Sequence, residues 1–177
     1  GLLLVIIYLA FISLGLPDTM LGIAWPYMRL EFSKPLEAAG IITILGTIFT
    51  ATSSILSGHV LNRFGTGRVT FVSCLMTATG LLGYSIAPSF WWLLPCIPLL
   101  GFGAGSIDCG LNFYIAANYS SRHMNWLHCC WGIGATLGPA IMTAMIAGGT
   151  GWRTGYRTIG LIQLGLSVIL FLSLGLW

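Results

Sequence analysis

The sequence predicts an all-α integral membrane protein: a six-helix bundle built from two three-helix repeats of inverted topology. Three observations predict it. Of the 177 residues, 56% are hydrophobic and only 6% charged, with a mean hydropathy of +0.93. A soluble domain carries about 25% charged residues, so this chain lacks the polar surface to stay in water. The apolar residues fall into six runs of roughly 20 residues, the length that crosses a bilayer. Finally, Gly15-Leu16-Pro17-Asp18 and Gly105-Ser106-Ile107-Asp108 share G-x-x-D at an offset of 90 residues, and Arg63-Phe64-Gly65 and Arg153-Thr154-Gly155 share R-x-G at the same offset. That offset superimposes the first three runs on the last three. A three-helix repeat within a six-helix unit must be inverted, the build of many secondary transporters.

Run one spans residues 1–28; it contains Asp18 after Pro17 and closes near Trp25 and Pro26. A balanced charged loop follows, with Arg29, Glu31, Lys34 and Glu37. Run two covers 38–61, and a tight basic turn, Asn62 to Arg68, leads into run three at 69–87. Pro88-Ser89-Phe90 is so short that runs three and four must be antiparallel neighbours. Run four covers 91–119, with Trp91 and Trp92 as interface anchors and Pro95 and Pro98 in its first turns. Run five covers 124–147, a loop from Gly148 to Arg157 carries Trp152 and Arg153, and run six covers 158–177. The Lys and Arg residues divide three against four between the two sides, so charge alone sets no orientation. The opening GLLLVIIYLA, without methionine, and the closing LFLSLGLW read as a fragment cut at both ends.

The chemistry concentrates between Gly101 and Pro139. Asp108 stands alone in a glycine-rich apolar run, with Asn112 one turn on; Asn125 and His128 open the next run. A carboxylate at bilayer depth costs about 3 kcal/mol on insertion scales, so a functional role is the default reading. Asp18 and Asp108 each lie about 15 Å from a helix end at 1.5 Å per residue, half of a roughly 30 Å core. Both therefore belong near the midplane, where transporters bind substrate and coupling ion. Burial and a neighbouring carboxylate both favour the protonated form of an acid, which is how such a group loads and releases protons near neutral pH. The structural alternative is a protonated acid, or one capping a neighbouring helix, that ties helices together; Asp18, which follows Pro17, can also serve a helix break.

Asn112 and His128 suit solute hydroxyls, because amide and imidazole both donate and accept; interhelical hydrogen bonding is their alternative. Asn125 reads as a helix cap or loop pin. Trp25 and Trp131 can stack on a sugar face or simply pack. The Gly101-x-x-x-Gly105 and Gly134-x-x-x-Gly138 spacings read as close-packing helix faces rather than a dinucleotide loop, since no strand precedes them. The five cysteines sit inside apolar runs as small hydrophobes, without metal-like spacing. His59, His123 and His128 form no metal set, and no hydrolase or metalloprotease motif occurs, so the chain carries no signal for an enzyme, a metal or a cofactor. The net charge of +3 is too small and scattered for a nucleic-acid partner.

The turn Gly58-His-Val-Leu-Asn62-Arg63-Phe-Gly65-Thr-Gly-Arg68 resembles the signature loop of the major facilitator superfamily, G-x-x-x-D-R-x-G followed by two basic residues. Asn62 replaces the aspartate, and Thr66 and Gly67 stand where the basic pair would be. Gly151-Trp152-Arg153 looks like the family's segment after its fifth helix. The series Asp108-Cys-Gly-Leu-Asn112, Met124-Asn125-x-x-His128 and Gly132-x-Gly134-Ala-x-x-Gly138-Pro139 is similar to the fucose/glucose/galactose permease branch. The resemblance implies a cytoplasmic signature loop and proton coupling at Asp108. It also implies sugar binding at Asp18 and, where relatives carry a glutamine, at His128. The expectation is the N-terminal half of a proton-coupled sugar symporter in a plasma membrane, of the bacterial inner-membrane type. Its partners would be a solute, a proton, the lipid bilayer and a C-terminal six-helix half, with no cofactor. Asp18, Asn112, His128 and Trp131 would face the solute. An efflux antiporter of the same fold and a non-transporting solute sensor are the rival expectations.

Overall fold

The computed structural model describes residues 1–177 and is all helical. The helices are α1 (Leu2–Gly15), α2 (Met20–Glu31), α3 (Ala38–Phe64), α4 (Thr66–Ser85), α5 (Phe90–Asn118), α6 (Ser121–Ala147) and α7 (Gly151–Leu172), with a 3₁₀ turn at Leu174–Leu176. Together α1 and α2 form one span, so the bundle has six. Five of these spans are long and apolar enough to cross a membrane by length and composition; α4 is the more polar one. Its hydroxyls Thr70, Ser73, Thr77 and Ser85 are all buried against protein, so lipid does not demand their removal.

Several boundaries differ from the sequence expectation. Run one is not a continuous helix: it breaks at Leu16–Thr19. Pro17 has no N–H and its ring crowds the carbonyl one turn back. The break is closed by short i→i+3 bonds from Asp18 N to Gly15 O and from Met20 N to Pro17 O, both 3.3 Å. The expected seven-residue basic turn shrinks to a single residue. Asn62, Arg63 and Phe64 finish α3, and only Gly65, at φ 80° and ψ 154°, separates it from α4. That combination is essentially glycine-only. Helix α7 starts at Gly151, not at residue 158, so Trp152, Arg153 and Arg157 are helical. Helix α6 starts at Ser121, which places Asn125 a turn inside the helix and rules out a capping role.

The helices form an open ring. Helix α5 packs on α3 and on α4, α4 on α7, α7 on α6, and α6 on α1, whereas α1 and α3 scarcely meet. The pairings α3 with α5 and α1 with α6 interconvert when the first three spans are exchanged with the last three. Glycine makes both crossings close. A Cβ on Gly101 would lie 2.6 Å from Phe49 Cβ and 3.0 Å from Gly46 O. On the other seam, Gly134 and Gly138 press against the backbone carbonyls of Ile12 and Leu16. Each expected glycine face therefore holds a seam.

Two apolar layers fill the bundle. One gathers Met20, Trp25, Met28, Phe90, Ile97 and Trp152 at the α2 end; the other gathers Ile7, Phe11, Leu111, Leu127 and Leu170 at the opposite end. Polar groups lie between them, including Ser13, Ser53, Thr77 and Gln163, all buried. At the α2 end, Glu31 accepts from Trp152 Nε1 at 3.0 Å and from Arg153 Nη1 at 2.5 and 2.7 Å, while Arg153 Nη2 donates to Ala87 O at 2.5 Å. This clamp ties the ends of spans one and three to the start of α7.

Candidate functional site

The two G-x-x-D segments play matching parts. Gly15 seats α1 against the backbone of Trp131 and Ala135 in α6, and Gly105 seats α5 against Thr50 and Ser53 in α3. A bulkier residue would hold these helices apart. Each glycine therefore fixes a crossing with the middle helix of the other repeat, and each aspartate follows three residues later, just beyond that crossing.

Asp18 sits in the break between α1 and α2 and is exposed on the isolated bundle. Trp131 Nε1 donates to Asp18 Oδ2 at 2.9 Å, and next to it Thr19 Oγ1 donates to Ala135 O at 2.9 Å. The indole N–H of Trp131 thus ties α6 to the break after α1, a contact that neither the stacking nor the packing reading of this residue anticipated. Asp108 is also exposed; Asn112 Nδ2 donates to its Oδ1 at 3.0 Å and to its carbonyl at 2.9 Å. The Asp108 carboxylate lies within electrostatic reach of both His128 and Asp18. His128 is exposed, its ring edge-on to Phe11 at a centroid distance of 6.1 Å. Asp108, Asn112, His128 and Trp131 therefore belong to an open face made by α5 and α6.

Where α1 and α3 fail to meet, a cleft of about 490 Å³ enters the bundle. Asp18 stands in its wall, and it is the one expected solute residue that lines the cleft. Thr43, Thr47 and Thr50 line it from α3, and Tyr84, Tyr156 and Gln163 from α4 and α7. A pocket of 300–1,000 Å³ with few polar groups on apolar walls is the usual form of a small-molecule site. Sequence reasoning passed over these residues, although signals existed. The threonines recur at i, i+4 and i+7, one helix face, and Gln163 is a lone amide within an apolar run.

The signature-loop residues sit at one end of the bundle. Gly65 supplies the special backbone conformation, and Gly58 faces open space. The Arg63 guanidinium lies over the Phe64 ring at 5.4 Å. Arg68 lines a small second pocket of about 220 Å³ beside Trp177.

Comparison with known proteins agrees with this architecture. A profile of the Major Facilitator Superfamily matches residues 7–177. The synaptic vesicle 2-related protein of Bos taurus is 23% identical over 148 residues, covering 82% of this chain and 27% of the relative. The glucose/mannose transporter GlcP of Bacillus subtilis (strain 168) is 18% identical over 141 residues, covering 78% of this chain and 35% of the relative. The chain thus spans about a third or less of the curated relatives it matches. With the profile running from residue 7 to the last residue, the chain belongs to the Major Facilitator Superfamily, a family of membrane transporters rather than enzymes.

Proposed function

We propose that this chain is the N-terminal six-helix half of a proton-coupled symporter for a sugar or similar polyhydroxylated solute, in the fucose/glucose/galactose branch. The observation that carries the reading is Asp18. It stands at a proline break partway through the first span, borders a cleft of solute size and is held by an indole from α6. Broken helices at mid-membrane are where transporters of this general build place their sites. A sugar transporter among the relatives supports the solute class.

In this reading Asp108 carries the proton. Its carboxylate has one amide donor, from Asn112, and His128 stands within electrostatic range. When ionised it accepts hydrogen bonds; when protonated it loses that capacity in part, which couples proton loading to solute contacts. Asn112, His128 and Trp131 face the second bundle across the pathway, and rocking of the two halves alternates access. The turn at Gly65 faces the cytoplasm of a cell, with the bundle in the plasma membrane, as in a bacterial inner membrane.

The test uses the complete carrier in sealed vesicles with a pH dye inside. Neutral hexoses and deoxyhexoses added outside should produce saturable internal acidification. Asp108→Asn should abolish proton-driven accumulation and leave solute exchange intact. Undiminished accumulation by that variant would remove Asp108 from the coupling role.

A further inference from the structure

The cleft ends on a floor that the coupling scheme leaves unused. Tyr156 and Gln163 line it from α7 at 2% and 1% exposure, and Tyr156 Oη and Gln163 Oε1 have no hydrogen-bond partner. Buried polar atoms are nearly always paired, so two orphans on residues that line one cavity call for an explanation.

Gln163 has a definite orientation. Its Nε2 donates to Ser13 O at 2.8 Å. Ser13 is four residues before Pro17, so in an unbroken helix its carbonyl would take the N–H that proline lacks. The amide of Gln163 supplies that missing donor. A carbonyl accepts only, so the nitrogen must face Ser13 and the oxygen is the atom left over. Satisfying the break thus leaves an acceptor pointing away from it, in the residue that lines the cleft floor.

The chemistry of the cleft is selective. No Lys, Arg or His lines it, so nothing there matches an anion. Tyr156 and Gln163 are seven residues apart on one helix face, about 10 Å along the axis. A solute with a single polar head cannot serve both; one with hydroxyls spread over its length can. Hydroxyls donate and accept, which meets an amide oxygen, a phenol and the Asp18 carboxylate alike.

We infer that the floor of the cleft is a hydroxyl-recognition subsite: Gln163 Oε1 and Tyr156 Oη bind two separate hydroxyls of a neutral polyhydroxylated solute that enters past Asp18. The subsite rests on the transport reading above and adds its specificity. Acids are excluded for want of a cation. Deoxygenation at either engaged position removes a partner from a buried polar atom.

The experiment is equilibrium binding to the complete carrier in detergent, by isothermal titration with glucose, galactose, fucose and their deoxy analogues, and with ethanolamine as a cationic control. Tyr156→Phe deletes only an unpartnered oxygen, so the fold is kept. It should weaken binding of the best hexose about tenfold. The deoxy analogue lacking the engaged hydroxyl should bind wild type and Tyr156→Phe equally. Gln163→Leu should weaken binding as well and also lower stability, because Ser13 loses its donor. Hexose binding unchanged in Tyr156→Phe would overturn the subsite, leave only water on the floor, and spare the symporter reading. No hexose binding to wild type, or binding of ethanolamine alone, would overturn both.

Discussion

Substituting Gly101 by alanine tests whether the α3–α5 seam is as tight as its geometry implies. The added Cβ would lie 2.6 Å from Phe49 Cβ, 3.0 Å from Gly46 O and 3.2 Å from Thr50 N, whereas ordinary contact begins at 3.4 Å. The worst overlap is therefore about 0.8 Å, and the opposing atoms are helix backbone and a Cβ, which cannot swing aside. Helix α3 must move away. A gap of 0.5–1 Å forfeits about a quarter to a half of the dispersion energy of each contact it opens. Overpacking of this kind costs about 1–3 kcal/mol. Alanine also gains up to about 1 kcal/mol of helix propensity over glycine, which would blur a single measurement. Gly132→Ala removes that ambiguity: Gly132 is inside α6 with nothing within 4 Å of its added Cβ. The propensity gain is common to both variants, so their difference isolates the seam. Unfolding in mixed micelles, titrated with dodecyl sulfate, should place Gly101→Ala about 1–3 kcal/mol below Gly132→Ala. Equal stability, or the reverse order, would refute the close-packed crossing.

Two further outcomes follow from the same structure. Gly65→Ala should cost about 1–3 kcal/mol although its Cβ would meet open space, because φ 80° with ψ 154° is closed to side-chain-bearing residues; a loss no greater than that of Gly58→Ala, also in open space but inside a helix, would contradict this. Arg153→Lys should lower stability by only about 1 kcal/mol, since the Arg153 and Glu31 side chains are 31% and 47% exposed, with the loss shrinking in high salt. Lysine cannot span Glu31 and Ala87 O together, so stability equal to wild type would show that the clamp is idle.

Much of the bundle was legible in residue order. Apolar runs about as long as a bilayer is thick leave a chain little choice but helices, because hydrocarbon offers no partner for a free N–H or C=O. The paired G-x-x-D segments announced themselves for the same reason, since a carboxylate inside such a run is costly to keep. The glycine spacings at 101–105 and 134–138 predicted close faces and did form them. Helix ends were harder. Arg153 and Arg157 looked like loop because they are charged, but Glu31 and Ala87 O, distant in sequence, pair Arg153 within a helix.

The site divides along the same line. Composition and spacing by themselves determined that the protein spans a membrane, that Asp18 and Asp108 are its exceptional groups, and which glycines bring helices together, because these follow from local chemistry and from a solvent that punishes exceptions. The Asp108–Asn112 pair follows from i,i+4 spacing on one helix, but only the tertiary structure decided which distant groups meet: Asp18 with Trp131, Asp108 near His128, and Gln163 with the carbonyl that Pro17 leaves unpaired. It also decided that the ring stays open between α1 and α3, so that threonines and tyrosines unremarkable in the sequence line a cleft. Those partners are 113 and 150 residues apart in the two longest cases. No periodicity within one helix encodes the rotation of another about its axis. The glycine seams fix how closely the paired helices approach, and the packing of whole helices places the polar groups.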